Sequence, residues 1–271
     1  MITDSEKVAL LISTYNKPEY LRQTLLSLTR QTRMPDTVVI ADDGSDERTK
    51  ALIDSMREEI PVPLLHIWHP DTGFRLSAIR NKAMAAVEDD YIIQIDGDVV
   101  LGRHFVEDHA SVAERGYFVL GSRVYFGPKI TERILRNGFS PFWLFGSQQG
   151  SWTNRIRIGW LRRRLATRYA QKVPRVRGCN MAFWREDIIR INGYNEDFTG
   201  WGGEDTELVC RLKNSGVAHK ALKAGGVQYH LWHPMASRSR TALNQDLCDR
   251  TECERIARAE NGIAKYLRHE R

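Results

Sequence analysis

The N-terminal third of the chain alternates short apolar runs with segments of helical periodicity, and this alternation restricts the possible folds most strongly. Apolar runs at 7–13, 37–41, 62–68 and 91–95 predict strands. The segments between them, the first of which starts at Pro18, predict helices. Strands and helices in such close alternation are typical of an α/β fold with a mostly parallel, doubly wound sheet and flanking helices.

Acidic clusters follow two of these predicted strands directly. Asp42 and Asp43 end the second strand, and Asp96 and Asp98 flank Gly97 after the fourth. Ligands of open parallel sheets bind beyond the carboxyl ends of the strands, where both clusters would lie. The second cluster favours a divalent cation, and the first can accept hydrogen bonds from a base or a ribose. An ordinary strand-to-helix turn is the alternative for the first cluster.

Gly200-Trp201-Gly202-Gly203-Glu204-Asp205 is the most specific segment of the chain. Three glycines around a tryptophan indicate unusual dihedral angles or a close approach of the backbone to a ligand. A sugar ring stacks on an indole, and a carboxylate beside it can take a proton from a hydroxyl. The alternative is a turn with a buried tryptophan and acidic residues at the start of a helix.

The second half of the chain is less regular. Segments 181–184 and 227–232 predict strands, and 204–214 predicts a helix, while 243–267 predicts a long C-terminal helix. His230 and its neighbour three residues on would point to opposite faces of a strand, so one histidine is a better candidate ligand than two. Imidazole together with carboxylates favours Mn²⁺ over Mg²⁺.

Positive charge is concentrated in one stretch. Between Arg133 and Arg185 there are twelve arginines and lysines and no acidic residue, although the whole chain carries only +6. The stretch is interleaved with aromatic residues, among them those at 142–145 and Trp160, which is typical of contact with an anionic membrane surface. A solvated basic loop is the alternative, and no nucleic acid is expected. We interpret residues 123–177 as an insertion without a core of its own.

The chain shows no sign of export. It starts without a basic n-region, and its first apolar run, 8–12, is too short for a signal peptide or a membrane span. Four cysteines without a CxxC pair suit a reducing compartment. We therefore expect a cytoplasmic protein, peripheral on the inner face of the cytoplasmic membrane if the basic stretch binds lipid.

Together these segments resemble glycosyltransferase family two with the GT-A fold, over most of the chain. The resemblance is carried by 13–16, 41–45, 73–75, 78–81, 96–98, 178–183, 193–194 and 200–205. The last three segments are similar to the branch of β-1,4-galactosyltransferases and chondroitin polymerases. The basic insertion matches no motif of the family.

The resemblance implies a single domain over 1–271, with a nucleotide-sugar-binding half at 1–122, the basic insertion at 123–177 and an acceptor and catalytic half at 178–271. It implies an inverting transferase for a hexosyl or N-acetylhexosaminyl group. The donor would be a UDP-sugar, and the acceptor a glycan or lipid-linked hydroxyl in the synthesis of a bacterial-type surface polysaccharide.

The resemblance also implies roles for individual residues. Asp205 would be the general base, assisted by Glu204, and the acceptor would lie against Trp201, Gly202, Gly203 and Glu204. The donor-binding set would be Thr14, Asp42, Asp43, Arg75, Arg80, Asn81 and Asp96. A divalent cation, Mn²⁺ rather than Mg²⁺, would be bound by Asp98 and His233, with Asp96 and His230 as further candidates.

Two other classes of function compete with this interpretation. A sugar-phosphate nucleotidyltransferase shares the acidic metal sites, but it usually has a glycine-rich basic loop after the first strand, which 13–18 is not. A non-catalytic glycan-binding module would use Trp201 and the arginines, without needing the acidic motifs.

Overall fold

The structure is a computed structural model that describes residues 2–3, 5–140, 148–149, 152–168, 176–234 and 240–267. Its strands are β1 Val8–Thr14, β2 Thr37–Asp42, β3 Leu64–Trp68, β4 Tyr91–Asp96, β5 Val99–Leu101, β6 Tyr117–Leu120, β7 Val124–Phe126, β8 Gln148–Gln149, β9 Asn180–Trp184, β10 Ala218–Ala221 and β11 Gln228–His230. Its helices are α1 Pro18–Leu28, α2 Glu47–Met56, α3 Leu76–Ala85, α4 Phe105–Ala110, α5 Pro128–Asn137, α6 Gly159–Arg168, α7 Arg185–Arg190, α8 Glu204–Asn214 and α9 Thr241–Cys253.

A seven-stranded sheet forms the centre of the molecule, in the order β10-β6-β9-β4-β1-β2-β3. The pairs β1–β2, β2–β3, β1–β4 and β6–β10 are parallel, and β9 runs antiparallel to β4 and β6. The predicted mostly parallel α/β sheet is therefore confirmed. The register places Thr14 opposite Asp42 and Ser13 opposite Asp96, so the acidic turns lie at the same edge.

Both faces of the central sheet are covered, which explains why β1 is apolar from Val8 to Ile12. Val8, Leu10 and Ile12 lie in one core cluster, and Ala9 and Leu11 lie in another. Strands buried on both faces have continuous apolar runs rather than alternating ones. These two layers hold the sheet edge that carries the acidic turns.

A second sheet has the strand order β5-β11-β7-β8. Its strand β7 and the helix α5 share a small core with β11, formed by residues that include Val124, Phe126, Ile134 and Tyr229. The start of the basic insertion is therefore packed into a core that it shares with β11. The aromatic run at 142–145 lies outside the described residues.

The predicted C-terminal helix over 243–267 is only half correct. α9 ends at Cys253, and Arg255 takes a left-handed φ of +51°, a conformation that does not continue an α-helix. The backbone then returns to α7, where the amide of Ala259 donates to the carbonyl of Ile191. No helix among the described residues is both long and apolar enough to cross a bilayer.

Candidate active site

The turn after β4 and the turn before α8 meet at one edge of the central sheet. Arg80, on α3, connects them, since its Nη2 lies 3.2 Å from Asp96 Oδ1 and its Nη1 lies 3.0 Å from Asp205 Oδ1. These two acids are far apart in the sequence. The structure therefore brings the acidic turns of the two halves of the chain into one site.

Arg80 is enclosed by protein, with 1% of its surface exposed. Its Nε donates to Ser13 Oγ at 3.0 Å, and its guanidinium carbon lies 5.2 Å from the centre of the Tyr194 ring. Burial alone would lower the pKa of Arg80, but Tyr194 and the surrounding carboxylates raise it above its usual value. Arg80 is thus a permanent buried cation between the expected donor-side and acceptor-side acids.

Asp205 is held in position by two donors on the same oxygen. Its Oδ1 accepts hydrogen bonds from Arg80 and from the hydroxyl of Tyr194, the latter at 2.8 Å. The other oxygen faces the backbone of Gly178, where an added Cβ would lie 2.0 Å from it. Any side chain at position 178 would therefore displace the carboxylate of Asp205.

Glu204 differs from its neighbour because it lacks such support. It is buried, and its Oε2 has no hydrogen-bond partner among the described residues. Burial, followed by the charge of Asp205, raises the pKa of Glu204 to about 7. Arg80, at 3.9 Å, only partly opposes this shift. Near neutral pH Glu204 can therefore carry a proton and donate a hydrogen bond.

Asp98 and two histidines form the one group of described residues with the geometry of a metal site. The ligand atoms of Asp98, His230 and His233 all lie within 4.8 Å of one another. His233 Nε2 is 2.9 Å from Asp98 Oδ2, and His230 Nε2 is 3.4 Å from Asp98 Oδ1. β11 ends at His230, so the alternation of a strand does not separate the two rings, contrary to expectation.

The donor set of this group suits a divalent cation. Asp98 Oδ1 and His230 Nδ1 are buried without a hydrogen-bond partner among the described residues. Burial lowers the pKa of His230 to about 4, so its ring is neutral and has a free lone pair. Mixed imidazole and carboxylate ligands are typical of Mn²⁺ and Zn²⁺. Asp96, by contrast, is directed to Arg80 and lies outside this group.

Lys17 is a site residue that the sequence analysis missed. Its Nζ lies 3.4 Å from Asp98 Oδ2, and its side chain is partly exposed. It stands in the loop between β1 and α1, directly before Pro18. The first strand-to-helix loop of a doubly wound sheet commonly faces the ligand, and that position is the signal that could have found it.

The acids of the first turn are engaged with the protein itself. Asp42 accepts the amide of Ser45 at 2.8 Å and lies 2.9 Å from His66 Nε2. Asp43 lies 2.8 Å from His69 Nε2 and accepts the amide of Arg75 at 3.0 Å. Both side chains are buried. They fix the turn around the expected uridine position.

Arg75 and Asn81, which were also expected to bind the nucleotide-sugar, form hydrogen bonds within the protein as well. The guanidinium of Arg75 donates to the carbonyl of Pro70 at 3.1 Å. Asn81 is buried, and its Nδ2 donates to the carbonyl of Tyr194 and to Glu196. Its Oδ1 accepts the amide of Tyr194 at 2.7 Å, so Asn81 holds the Gly193–Tyr194 turn from both sides of its side-chain amide.

The expected acceptor segment has an exposed indole. Trp201 is 41% exposed, which excludes the alternative of a buried tryptophan. Gly202 and Gly203 have φ angles of +99° and +97°, which only glycine adopts without strain. Asn244 of α9 donates to the carbonyl of Gly202 at 2.6 Å and so fixes this loop.

Two family models match the chain. The one for glycosyl transferase family 2 covers residues 9–191, and the one for the N-terminal domain of galactosyltransferase covers residues 163–234. The second match begins within the basic helix α6 and includes the turn before α8. Together the two models extend over both acidic turns and the histidines.

Curated relatives are similar over most of the chain. Validoxylamine A glucosyltransferase of Streptomyces hygroscopicus subsp. limoneus is 27% identical over 236 residues, 78% of this chain and 48% of that protein. Chondroitin synthase of Pasteurella multocida is 25% identical over 246 residues, 82% of this chain and 24% of that protein. The chain thus spans about half or less of the length of these relatives.

Solved structures share the fold. S. aureus TarS 1–349 in complex with UDP has a TM-score of 0.61 at 15% identity, over 96% of this chain and 68% of that one. The mannosyltransferase PcManGT from Pyrobaculum calidifontis, in complex with GDP-Man and Mn²⁺, has a TM-score of 0.61 at 16% identity, over 92% of this chain and 64% of that one. The expected GT-A type of fold is confirmed by these neighbours. Since the model for glycosyl transferase family 2 matches residues 9–191, more than half of the chain, the chain belongs to that family.

Proposed function

We propose that this protein is an inverting glycosyltransferase that transfers a hexosyl or N-acetylhexosaminyl group from a UDP-sugar to a hydroxyl. The observation that carries the proposal is the bridge from Asp96 through Arg80 to Asp205, which joins a donor-side acid to an acceptor-side acid. A chondroitin synthase among the relatives and the UDP complex of TarS support this choice of reaction and donor.

Asp205 is the proposed general base. Arg80 and Tyr194 stabilise its carboxylate and fix its orientation. It takes the proton of the acceptor hydroxyl while the oxygen forms a bond to the anomeric carbon. The bond from that carbon to the diphosphate breaks on the opposite face, and UDP leaves with the electron pair. A single displacement of this kind inverts the configuration.

Glu204 and Trp201 are proposed to position the acceptor. The half-exposed indole provides a stacking surface for a sugar ring beside the base. Glu204, protonated near neutral pH, can donate a hydrogen bond to an acceptor oxygen. Gly202 and Gly203, whose left-handed φ angles shape the loop between the two side chains, belong to the same proposed acceptor-binding segment.

A divalent cation is the proposed cofactor, held by Asp98, His233 and His230, with Mn²⁺ favoured over Mg²⁺ by the two imidazoles. Bound there, it would act as a Lewis acid for the diphosphate leaving group. Lys17 adds a positive charge beside Asp98. Asp98→Ala should abolish the Mn²⁺-dependent part of UDP binding in calorimetry, and an unchanged affinity would contradict this assignment.

The remaining donor residues are proposed to surround the nucleoside. Asp42 or Asp43 is proposed to contact the uridine and Asp96 the ribose, and Thr14, which pairs with Asp42 in the register of β1 and β2, is proposed to belong to the same set. Arg75 fixes Asp43 through its backbone amide. These roles follow the resemblance to the family and the common sheet edge.

The acceptor is proposed to be a glycan or a lipid-linked sugar of a bacterial-type surface polysaccharide. The enzyme would act as a single domain at the inner face of the cytoplasmic membrane, with the basic segment 133–177 toward an anionic surface. The relatives named for polysaccharide synthesis support this choice.

The deciding experiment is a product assay with a panel of UDP-sugars and oligosaccharide acceptors, with Mn²⁺ or with a chelator. Release of UDP that depends on acceptor supports the proposal. Release of pyrophosphate from a nucleoside triphosphate and a sugar phosphate would show a nucleotidyltransferase instead. Sugar binding without release of either product would show a binding module.

A further inference from the structure

Helix α6, in the basic stretch, is anchored to the protein by one of its arginines. Arg162 is buried, forms an ion pair with Asp108, and donates from Nε to Ser111 Oγ at 3.0 Å. Arg157, just before the helix, donates to the same carboxylate at 2.9 Å. α6 is therefore fixed beside the edge strand β10 rather than suspended in a loop.

The opposite side of α6 is cationic and aromatic. Trp160, Arg163, Arg164, Thr167 and Arg168 are exposed, and their spacing of three and four residues puts them on one side of the helix. We name these five residues the α6 outer face. Within the described part of the chain, none of its three arginines forms an ion pair, and the sequence from 133 to 185 contains no acid to provide one.

An indole in this position points to a lipid surface. Trp160 is 66% exposed, so most of its ring meets water in the free protein. Tryptophan partitions to the boundary between headgroups and acyl chains, and arginines beside it contact the phosphates. One side of a helix of about 15 Å can meet a planar surface along its whole length. From this charge complementarity and the indole we infer that the α6 outer face binds an anionic phospholipid bilayer.

The anchor of α6 continues to the candidate metal site. Asp108, which holds Arg162, also accepts the backbone amide of Gly226 at 2.9 Å. Gly226 lies in the connection from β10 to β11, and β11 ends at His230. The bilayer-binding helix and the strand that carries a candidate ligand are thus fixed to one buried carboxylate. The inference rests on the proposed membrane location of the enzyme and names the surface responsible for it.

Vesicle co-sedimentation of the full chain, without donor or acceptor, tests this inference. The protein should bind vesicles of phosphatidylcholine with phosphatidylglycerol, but not phosphatidylcholine alone, and added salt should weaken the binding. Replacing Arg163, Arg164 and Arg168 together by Glu should weaken it by on the order of 100-fold or more. Trp160→Ala should weaken it as well, without changing the net charge.

The matched control replaces three exposed arginines elsewhere, Arg22, Arg30 and Arg103, by Glu, with the same change in net charge. It should retain most of the vesicle binding. Equal binding by the control and the α6 triple variant would overturn the inference. Tighter binding of the wild type to RNA or heparin than to vesicles, unaffected by Trp160→Ala, would overturn it in favour of a soluble polyanion.

Release of UDP with a soluble acceptor is measured in parallel. The α6 variants should retain it, since none of their residues contacts the candidate active site. Vesicle binding without UDP release would support the inference about the α6 outer face and contradict the proposed reaction. UDP release without vesicle binding would show the reverse, so the two failures are distinguishable.

Discussion

Two turns at the same edge of the sheet carry paired acids, and the protein satisfies these pairs to different degrees. Each oxygen of Asp42 and Asp43 has a partner from the protein. In the second pair, Asp205 shares one oxygen between two donors, while Oε2 of Glu204 has no partner among the described residues. The first pair is therefore a rigid support, and the second is open to chemistry.

The difference follows from the residues around each turn. His66 and His69 extend from β3 and the loop after it to the first pair, and backbone amides complete its hydrogen bonds. Glu204 and Asp205 share a single arginine, Arg80, with a third acid, Asp96. One cation for three carboxylates leaves a surplus of negative charge, which raises the pKa of Glu204, already raised by burial. The number of partners thus distinguishes the second pair, which is proposed to react, from the first, which is proposed to support the nucleoside.

Asp205→Asn removes the proposed general base from the second pair. The amide cannot accept a proton, so turnover should fall by about 10²–10⁴-fold, the usual size of general-base catalysis. Affinity for UDP should stay close to that of the wild type. Initial rates and calorimetric UDP binding measure the two effects, with Asp249→Asn on the exposed side of α9 as the control. Near-normal turnover would remove Asp205 from the mechanism.

Glu204→Gln tests whether the second pair is under-satisfied. The native pKa of about 7, against 4.5 for a free glutamate, means that Glu204 contributes no penalty below pH 4.5, that the penalty grows between pH 4.5 and 7, and that it is complete above pH 7. The glutamine variant lacks this penalty, so its unfolding free energy should exceed that of the wild type by on the order of 3 kcal/mol above pH 7. The two proteins should converge at pH 4.5.

Urea unfolding at several pH values measures this difference. Glu252→Gln, at an exposed position of α9, is the control and should follow the wild type at every pH. A constant difference between Glu204→Gln and the wild type across the range would show that Glu204 is not under-satisfied. Because the control is on a neighbouring helix, it also reports any general effect of removing a charge.

The regular part of this fold was predictable from the sequence, and the irregular part was not. β1 and β4 are mostly apolar because both faces of the central sheet are covered, so a local pattern identifies them. β10 reads Ala-His-Lys-Ala and is a strand only because β6 lies beside it. The C-terminal helix stops near Arg255 through a backbone conformation that no local pattern indicated.

The candidate site divides in the same way. The acidic turns after β2 and β4 were found because each follows a strand, and the turn before α8 was found from its glycines and tryptophan. The position of Arg80 between Asp96 and Asp205 depends on contacts across 16 and 125 residues of sequence. Likewise, three consecutive arginines at 162–164 look equivalent in the sequence, but only the first is buried. Partners at such separations are set by packing.

Asp42→Asn tests the rigid pair. The asparagine amide would face His66 in place of a carboxylate oxygen, and one hydrogen bond to a charged group would be lost, which costs about 2 kcal/mol of unfolding free energy. The variant should be less stable, while the folded protein should keep most of its turnover. This is the reverse of what we expect for Asp205→Asn. Thermal unfolding and initial rates measure the two. A large loss of turnover at unchanged stability would place Asp42 among the reacting groups.

Asn244→Ala affects the loop before Glu204 and Asp205 from outside the site, and of these variants it should change the enzyme's kinetics least. It removes the hydrogen bond to the carbonyl of Gly202, so the loop with Trp201 loses one support, worth about 1 kcal/mol. KM for the acceptor should rise by about five-fold while kcat stays nearly constant, because the loop positions the acceptor and Asp205 remains held by Arg80 and Tyr194. Steady-state kinetics measure this, with Gln245→Ala on the same helix as the control. A fall in kcat at constant KM would mean that the loop positions the base, and the open pair would then depend on α9 for its chemistry.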